Sequence, residues 1–100
     1  MRIIGTEHIE RFCRKRPAIH RHFDRWLQAV EAANWRKWAD VRQTYAKASK
    51  AGLCVVFDVQ GGSFRVVTRI DYEFQAVSIL FVLTHQQYDQ GKWKDECECN

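Results

Sequence analysis

The chain has a single proline in 100 residues and no long apolar run. A membrane-spanning helix needs roughly 18 or more apolar residues in a row, so that class is set aside. The opening residues, Met1-Arg2-Ile3-Ile4-Gly5-Thr6-Glu7, lack the apolar core of an export signal, and the expected location is the cytoplasm. Neither an internal repeat nor a low-complexity segment is present. The sequence also lacks a Gly-Lys-Ser/Thr phosphate loop and a dinucleotide-binding glycine fingerprint. It has no dense carboxylate cluster of the kind that holds paired Mg²⁺ ions. The four cysteines, Cys13, Cys54, Cys97 and Cys99, do not make a zinc pattern, because the C-x-C pair has no second pair or nearby histidine. No metal or other cofactor is implied. A disulfide is not expected in a cytoplasmic chain, and Cys13 and Cys54 read as small buried hydrophobes.

What is present is a globular composition, 46% hydrophobic and 13% aromatic, in a length that suits one domain. The expected unit is residues 1–100, with about 93–100 a frayed tail. The formal net charge of +4 is unevenly spread. Residues 1–52 carry twelve Lys/Arg against five Asp/Glu, and residues 53–100 carry four against seven. Arg11, Arg14, Lys15, Arg21 and Arg25 belong to the basic half. Such a surface attracts phosphate backbones without reading sequence, although an exposed helix face carries the same residues with no partner.

Arg2-Ile3-Ile4 reads as a short strand ended by Gly5. Thr6 suits a helix N-cap, with Glu7 in the first turn. Pro17 interrupts that helix and suits the start of the next. Ile19, Phe23, Trp26, Leu27 and Val30 then make one apolar stripe at helical spacing. Trp26 could stack on a base, but its place on the stripe assigns it to the core. Asn34 is a candidate cap for a third helical piece carrying Trp35, Trp38, Val41 and Tyr45, and Ala46–Gly52 reads as a loop. From Leu53 the pattern changes to strands. Leu53–Phe57 is a continuous apolar run, Gln60-Gly61-Gly62-Ser63 a turn, and Phe64–Tyr72 strictly alternating. Ala76–Thr84 reads as a central strand. Helices followed by an antiparallel meander predict an α+β fold, with the helices on one face of a small sheet.

Arg65 and Arg69 fall on one face of the alternating strand, about 13 Å apart along an ideal strand. They could present guanidinium forks to a phosphate, or pair with a carboxylate such as Asp71. His85 and Tyr88 follow the last long strand and share a side if the chain turns helical there. Histidine moves protons near neutral pH, and tyrosine stacks on bases or donates to phosphate. This set suits metal-independent RNA cleavage, in which the RNA's own 2′-hydroxyl is the nucleophile. The protein must then take a proton, give a proton and neutralise charge on phosphorus.

The same residues resemble the HigB-type toxins of bacterial toxin–antitoxin modules, within the RelE-like mRNA interferases. The resemblance rests on Cys54-Val55-Val56-Phe57-Asp58-Val59, Gly61-Gly62, Phe64-Arg65-Val66, Arg69-Ile70-Asp71-Tyr72 and Phe81–Asp89 with its Thr84-His85-x-x-Tyr88-Asp89 end. Trp26 and Ala33-Asn34-Trp35 match more loosely, and the likeness covers about residues 1–92. It implies a RelE-like fold, ribosome-dependent mRNA cleavage that inhibits translation, and silencing by a helix-turn-helix (HigA-like) antitoxin. The family's basic and aromatic residues map to Arg65, Arg69, His85 and Tyr88, with Lys50 and Tyr72 as weaker candidates for RNA contact. The basic residues Arg11, Arg14, Lys15, Arg21 and Arg25 would dock on RNA. Asp58 stands where asparagine is common, and the acidic, cysteine-bearing tail has no counterpart. Neither departure is expected to touch the site. The rival readings are a binding module for RNA or protein without chemistry, and an inactive toxin kept in a repressor complex.

Overall fold

The alternation in Phe64–Tyr72 organises the molecule, because a strand with one apolar face must bury that face against something. The computed structural model describes residues 1–99 and shows what covers it. The chain runs through β1 (Arg2–Ile4), α1 (Glu7–Arg14), a 3-10 turn at Pro17–Ile19, α2 (His20–Ala32) and α3 (Trp38–Thr44). It continues through β2 (Ser49–Ala51), β3 (Cys54–Val59), β4 (Phe64–Asp71), β5 (Ala76–Thr84), α4 (His85–Gln90) and a 3-10 segment, Lys92–Cys97. Within the described residues the strands form one sheet in the order β1-β5-β4-β3-β2. β1 pairs parallel with β5 and the other pairings are antiparallel. The architecture is the expected α+β, although β4 rather than β5 lies at the sheet's centre.

One sheet face receives the first three helices. Phe23, Trp26 and Val30 of α2 are buried along the predicted stripe. They pack with Val55, Phe57, Val66 and Val77 from the strands. Phe57 is the hub: its ring centroid lies 5.4 Å from Trp26, 5.8 Å from Trp35 and 5.4 Å from Tyr45. Trp26 is therefore core, and the base-stacking reading of it is set aside. The buried Thr68 keeps its hydroxyl satisfied by donating to the Val55 carbonyl at 2.8 Å, as a buried polar group must.

Several local expectations are corrected. Thr6 holds the N-cap position of α1 but makes no side-chain cap bond. Asn34 caps nothing, since α3 begins at Trp38 after an extended segment. That extension seats the Trp35 indole flat against Phe57, 15° from parallel, with its Nε1 donating to Thr44 Oγ1 at 3.0 Å. The supposed loop Ala46–Gly52 contains β2, which satisfies the outer edge of β3. A β-bulge between β4 and β5, where Val67 faces Phe81 and Thr68 faces Ile79, leaves Leu80 as the extra residue. Such an insertion bends the strand and re-aims side chains; Leu80 and Phe81 both pack on the far face.

That far face holds the main departures. The helices were expected on one face only, but α4 and the C-terminal 3-10 segment cover part of the other. Cys54 is not a lone hydrophobe: it is disulfide-bonded to Cys97. The tail, expected to fray, is folded back, with Trp93 and Cys97 buried beside Cys54, Val56 and Val67; Asn100 lies outside the described residues. Leu53 N–H donates to the Cys97 carbonyl at 2.8 Å. Gly52 permits this approach: a Cβ there would lie 2.1 Å from the Cys97 carbonyl oxygen.

Phe57→Ala should cost about 3–5 kcal/mol of stability, the usual loss for a buried aromatic. Phe74, 72% exposed in the β4–β5 turn, should cost within about 0.5 kcal/mol when truncated. Urea unfolding of the two variants checks this, and equal losses would remove Phe57 from its central place.

Candidate active site

The β3–β4 hairpin and α4 meet at one end of the sheet. Across the hairpin, Val59 pairs with Phe64 and Asp58 with Arg65. Cross-strand partners share a face, so the Asp58 carboxylate meets the Arg65 guanidinium. Asp58 Oδ1 lies 3.1 Å from Arg65 Nε, with the two side chains 28% and 14% exposed. Arg65 also donates to the Gly62 carbonyl. Asp71 is not its partner, contrary to the alternative weighed above; that carboxylate accepts from Phe74 N–H at 3.0 Å.

α4 is placed by a capping box. Thr84 Oγ1 accepts from Gln87 N–H at 3.1 Å, and Gln87 Oε1 accepts from Thr84 N–H at 2.9 Å. His85 N–H donates to the Ser63 carbonyl at 3.0 Å, tying the helix start to the hairpin turn. Gly91, at φ 75°, ends the helix in the left-handed conformation that glycine tolerates. The helix brings Tyr88 to Arg65, whose guanidinium carbon sits 5.0 Å from the ring centroid. Tyr88 also stacks on Trp93, with centroids 4.9 Å apart and planes 10° from parallel. Trp93 Nε1 donates to the Tyr88 carbonyl at 2.9 Å. His85 Nδ1 lies 2.9 Å from Asp89 Oδ2 one turn later, both side chains being more than half exposed. An ionised carboxylate only accepts, so in the neutral imidazole Nδ1 donates and Nε2 remains to take a proton.

Residues 20–91 match the model of the HigB toxin family, described as the RelE-like toxic component of a toxin–antitoxin system. The chain belongs to this family. The match spans the hairpin, β5 and α4, and so includes Arg65, Arg69, His85 and Tyr88. It starts later than the expected extent of about 1–92, leaving out β1 and α1, and it ends before Trp93 and Cys97. No curated protein sequence is significantly similar to the chain.

Not every predicted residue of this HigB-family chain joins the cluster. Arg65 and Tyr88 come together, while His85, three residues before Tyr88 on α4, is tied to the hairpin through its backbone N–H and has its side chain on Asp89. Arg69 is exposed on the same sheet face, in a shallow groove of about 650 Å³ with Asp71, Glu73 and Ser78. Lys50 pairs in register with Val55 and so lies on the helix face, its Nζ 5.4 Å over the Trp38 ring. Tyr72 packs against the helix-side core. Burial and the nearby Asp40 charge push its phenol up from the ordinary value, so it is a donor and not a base near neutral pH. Arg11, Arg14, Lys15, Arg21 and Arg25 are exposed. Arg25 lines with His22 a groove of about 200 Å³ that also touches Asp58 and Gln60. Among the described residues no group of three or more His, Cys, Asp or Glu is assembled to hold a metal.

Two contacts escaped sequence reasoning. Asp58 and the tail, expected to stand clear of the site, both touch it: Asp58 binds Arg65, and Trp93 backs Tyr88. The first was accessible from the turn, because a hairpin closed by Gln60–Ser63 sets Asp58 opposite Arg65. The second had only a tryptophan five residues beyond a tyrosine as its signal.

Asp58 neutralises part of the charge that Arg65 offers to an anion. Asp58→Asn keeps an oxygen to accept from Nε and removes the negative charge. It should tighten binding of a single-stranded RNA oligonucleotide by about threefold to tenfold at low salt, with the gain shrinking as salt rises. Fluorescence polarisation across a salt series measures this, and unchanged or weaker binding by a folded variant would contradict it.

Proposed function

We propose that the protein is a ribosome-dependent, metal-independent endoribonuclease that cleaves mRNA and so inhibits translation. The observation that carries this reading is the Arg65 guanidinium set over the Tyr88 ring, with His85 three residues earlier on the same short helix. A fixed cation, a phenol and a titratable imidazole there match the three needs of phosphodiester cleavage by a neighbouring 2′-hydroxyl. In that reaction the 2′-oxygen bonds to phosphorus and the bond from phosphorus to the 5′-oxygen breaks. The products are a 2′,3′-cyclic phosphate and a 5′-hydroxyl. His85, oriented by Asp89, takes the 2′-hydroxyl proton through Nε2. Arg65 faces the scissile phosphate and offsets its added charge. The Tyr88 ring is already engaged by Trp93 and Arg65, which favours its hydroxyl as the group that gives a proton to the departing 5′-oxygen. Preorganised donors aimed at developing charge are worth about 10²–10³-fold each, and a proton-transfer group about 10²–10⁴-fold.

Arg69 lies further along β4 and in this reading holds a neighbouring phosphate. The exposed Arg11, Arg14, Lys15, Arg21 and Arg25 supply docking to ribosomal RNA, which is sequence-independent and salt-sensitive. Lys50 and Tyr72 face the helix side and have at most a peripheral part. The site lies in the cytoplasm, where a helix-turn-helix, HigA-like antitoxin neutralises it. No helix among the described residues is long and apolar enough to cross a membrane.

Brief induction in bacteria, with mapping of mRNA 5′ ends, tests the reading. New ends in phase with codons are expected from the wild type, reduced about 100-fold or more in Arg65→Ala and in His85→Ala. Intact mRNA with unaffected growth would favour the binding module or the inactive toxin. Equal cutting by the variants would remove those residues from the chemistry.

A further inference from the structure

The far-face cluster couples the candidate site to a disulfide through one tryptophan. The Lys92–Cys97 segment is a six-residue 3-10 helix, a conformation with poor internal hydrogen bonding that relies on outside anchors. Cys97 is bonded to Cys54 of β3, across 43 residues of sequence. The Cys97 carbonyl accepts from Leu53 N–H, and Gly52 leaves room for that approach. Between these anchors and α4 sits Trp93, 4% exposed, lying flat on Tyr88 and donating to the Tyr88 carbonyl. Tyr88 is in turn the ring beneath the Arg65 guanidinium.

We propose that Trp93 is a positioning residue for Tyr88, and that the Cys54–Cys97 disulfide is a thiol-responsive clamp that holds Trp93 in place. With the clamp closed, the segment lies on the sheet and Tyr88 is backed. With it open, the segment lifts, Trp93 leaves the ring, and Tyr88 and Arg65 lose their fixed relation. The inference rests on the ribonuclease reading only for its effect on activity.

Opening is an exchange with a dithiol. One thiolate of the reductant attacks one sulfur of the pair, forming a mixed disulfide and releasing the other cysteine as a thiolate, which takes up a proton. The second thiolate then displaces the remaining cysteine. Two electrons and two protons pass from the dithiol to Cys54 and Cys97, and the reductant leaves as a disulfide. Closing is the reverse exchange with a low-molecular-weight disulfide such as glutathione disulfide. Cys54 and Cys97 are 1% and 0% exposed. Access governs exchange, so a local opening of the cover over the bonded pair must precede attack, and the segment lifts only after the bond is broken. The cytoplasm keeps thiols reduced. The site would then be loosened in ordinary conditions and firm under oxidation.

The test uses the whole chain, oxidised and after treatment with dithiothreitol, with two readouts. The first is the NMR shifts of the Tyr88 ring protons, which report the stacked indole whether or not RNA is cut. The second is cleavage of mRNA on ribosomes. Reduction should move the Tyr88 shifts toward those of Trp93→Ala and lower cleavage about tenfold, and glutathione disulfide should restore both. Cys54→Ala with Cys97→Ala should match the reduced protein and ignore the reductant. Gly52→Ala, which displaces the segment without touching a sulfur, should give the same Tyr88 shifts. Trp93→Phe should recover most of the cleavage that Trp93→Ala loses. Tyr88 shifts that stay put on reduction would overturn the clamp, as would a folded cysteine-free variant that cleaves as well as the oxidised wild type. If the shifts move as expected while neither form cuts RNA, the clamp stands and the ribonuclease reading falls.

Discussion

The register of the β3–β4 hairpin is the constraint on which the rest depends. Side chains alternate along a strand, so a slip of one residue would send each of them to the wrong face. The turn fixes the register: Gln60, Gly61 and Gly62 all adopt positive φ, at 54°, 62° and 95°. From that one setting, Phe57 and Val66 fall together on the helix face, and Asp58 and Arg65 fall together on the other. The aromatic hub and the candidate site are thus two consequences of one pairing. Ser63 extends the effect, because its carbonyl receives the first N–H of α4.

The two faces do different work. The helix face is continuous and apolar, with Phe57 touching rings from α2, from the segment before α3 and from the residue after it. Burial of this kind supplies most of the stability of a small domain. The far face is covered only in part, by α4 and the final 3-10 segment. That leaves Arg65 partly accessible and Arg69 and His85 exposed, where a polyanion can reach them. Partial cover also explains why the tail matters: Trp93 and Cys97 complete a small second core that one more helix would otherwise have to provide.

The stronger a residue's pattern, the more of its role could be read from sequence. The α2 stripe, the alternating strand and the glycine turn are repeated signals, and each is found where periodicity puts it. The helical spacing after Thr84 puts His85 and Tyr88 on one short helix, whereas the meeting of Tyr88 with Arg65 is a tertiary contact that no spacing announces. Trp35 was misplaced because its seat on Phe57 is tertiary, and the chain gives up helix to reach it. β2 is illegible in the sequence because Ser49-Lys50-Ala51 has no alternation and exists to pair an edge. The Cys54–Cys97 bond was hidden by the inference from compartment, and by the absence of any spacing rule linking residues so far apart. Lys50, a candidate for RNA contact by resemblance, is turned to the opposite face by its register with Val55.

The chemical account turns on the RNA's own 2′-hydroxyl as nucleophile, with the protein supplying proton transfer and charge. Replacing the ribose at one mapped cleavage position by 2′-deoxyribose, in an mRNA programmed into ribosomes, isolates that claim. The account predicts that cleavage at that position vanishes while neighbouring cuts persist, and that the remaining products carry 2′,3′-cyclic phosphate and 5′-hydroxyl ends. Cleavage that survives the substitution, or products with 5′-phosphate ends, would contradict it.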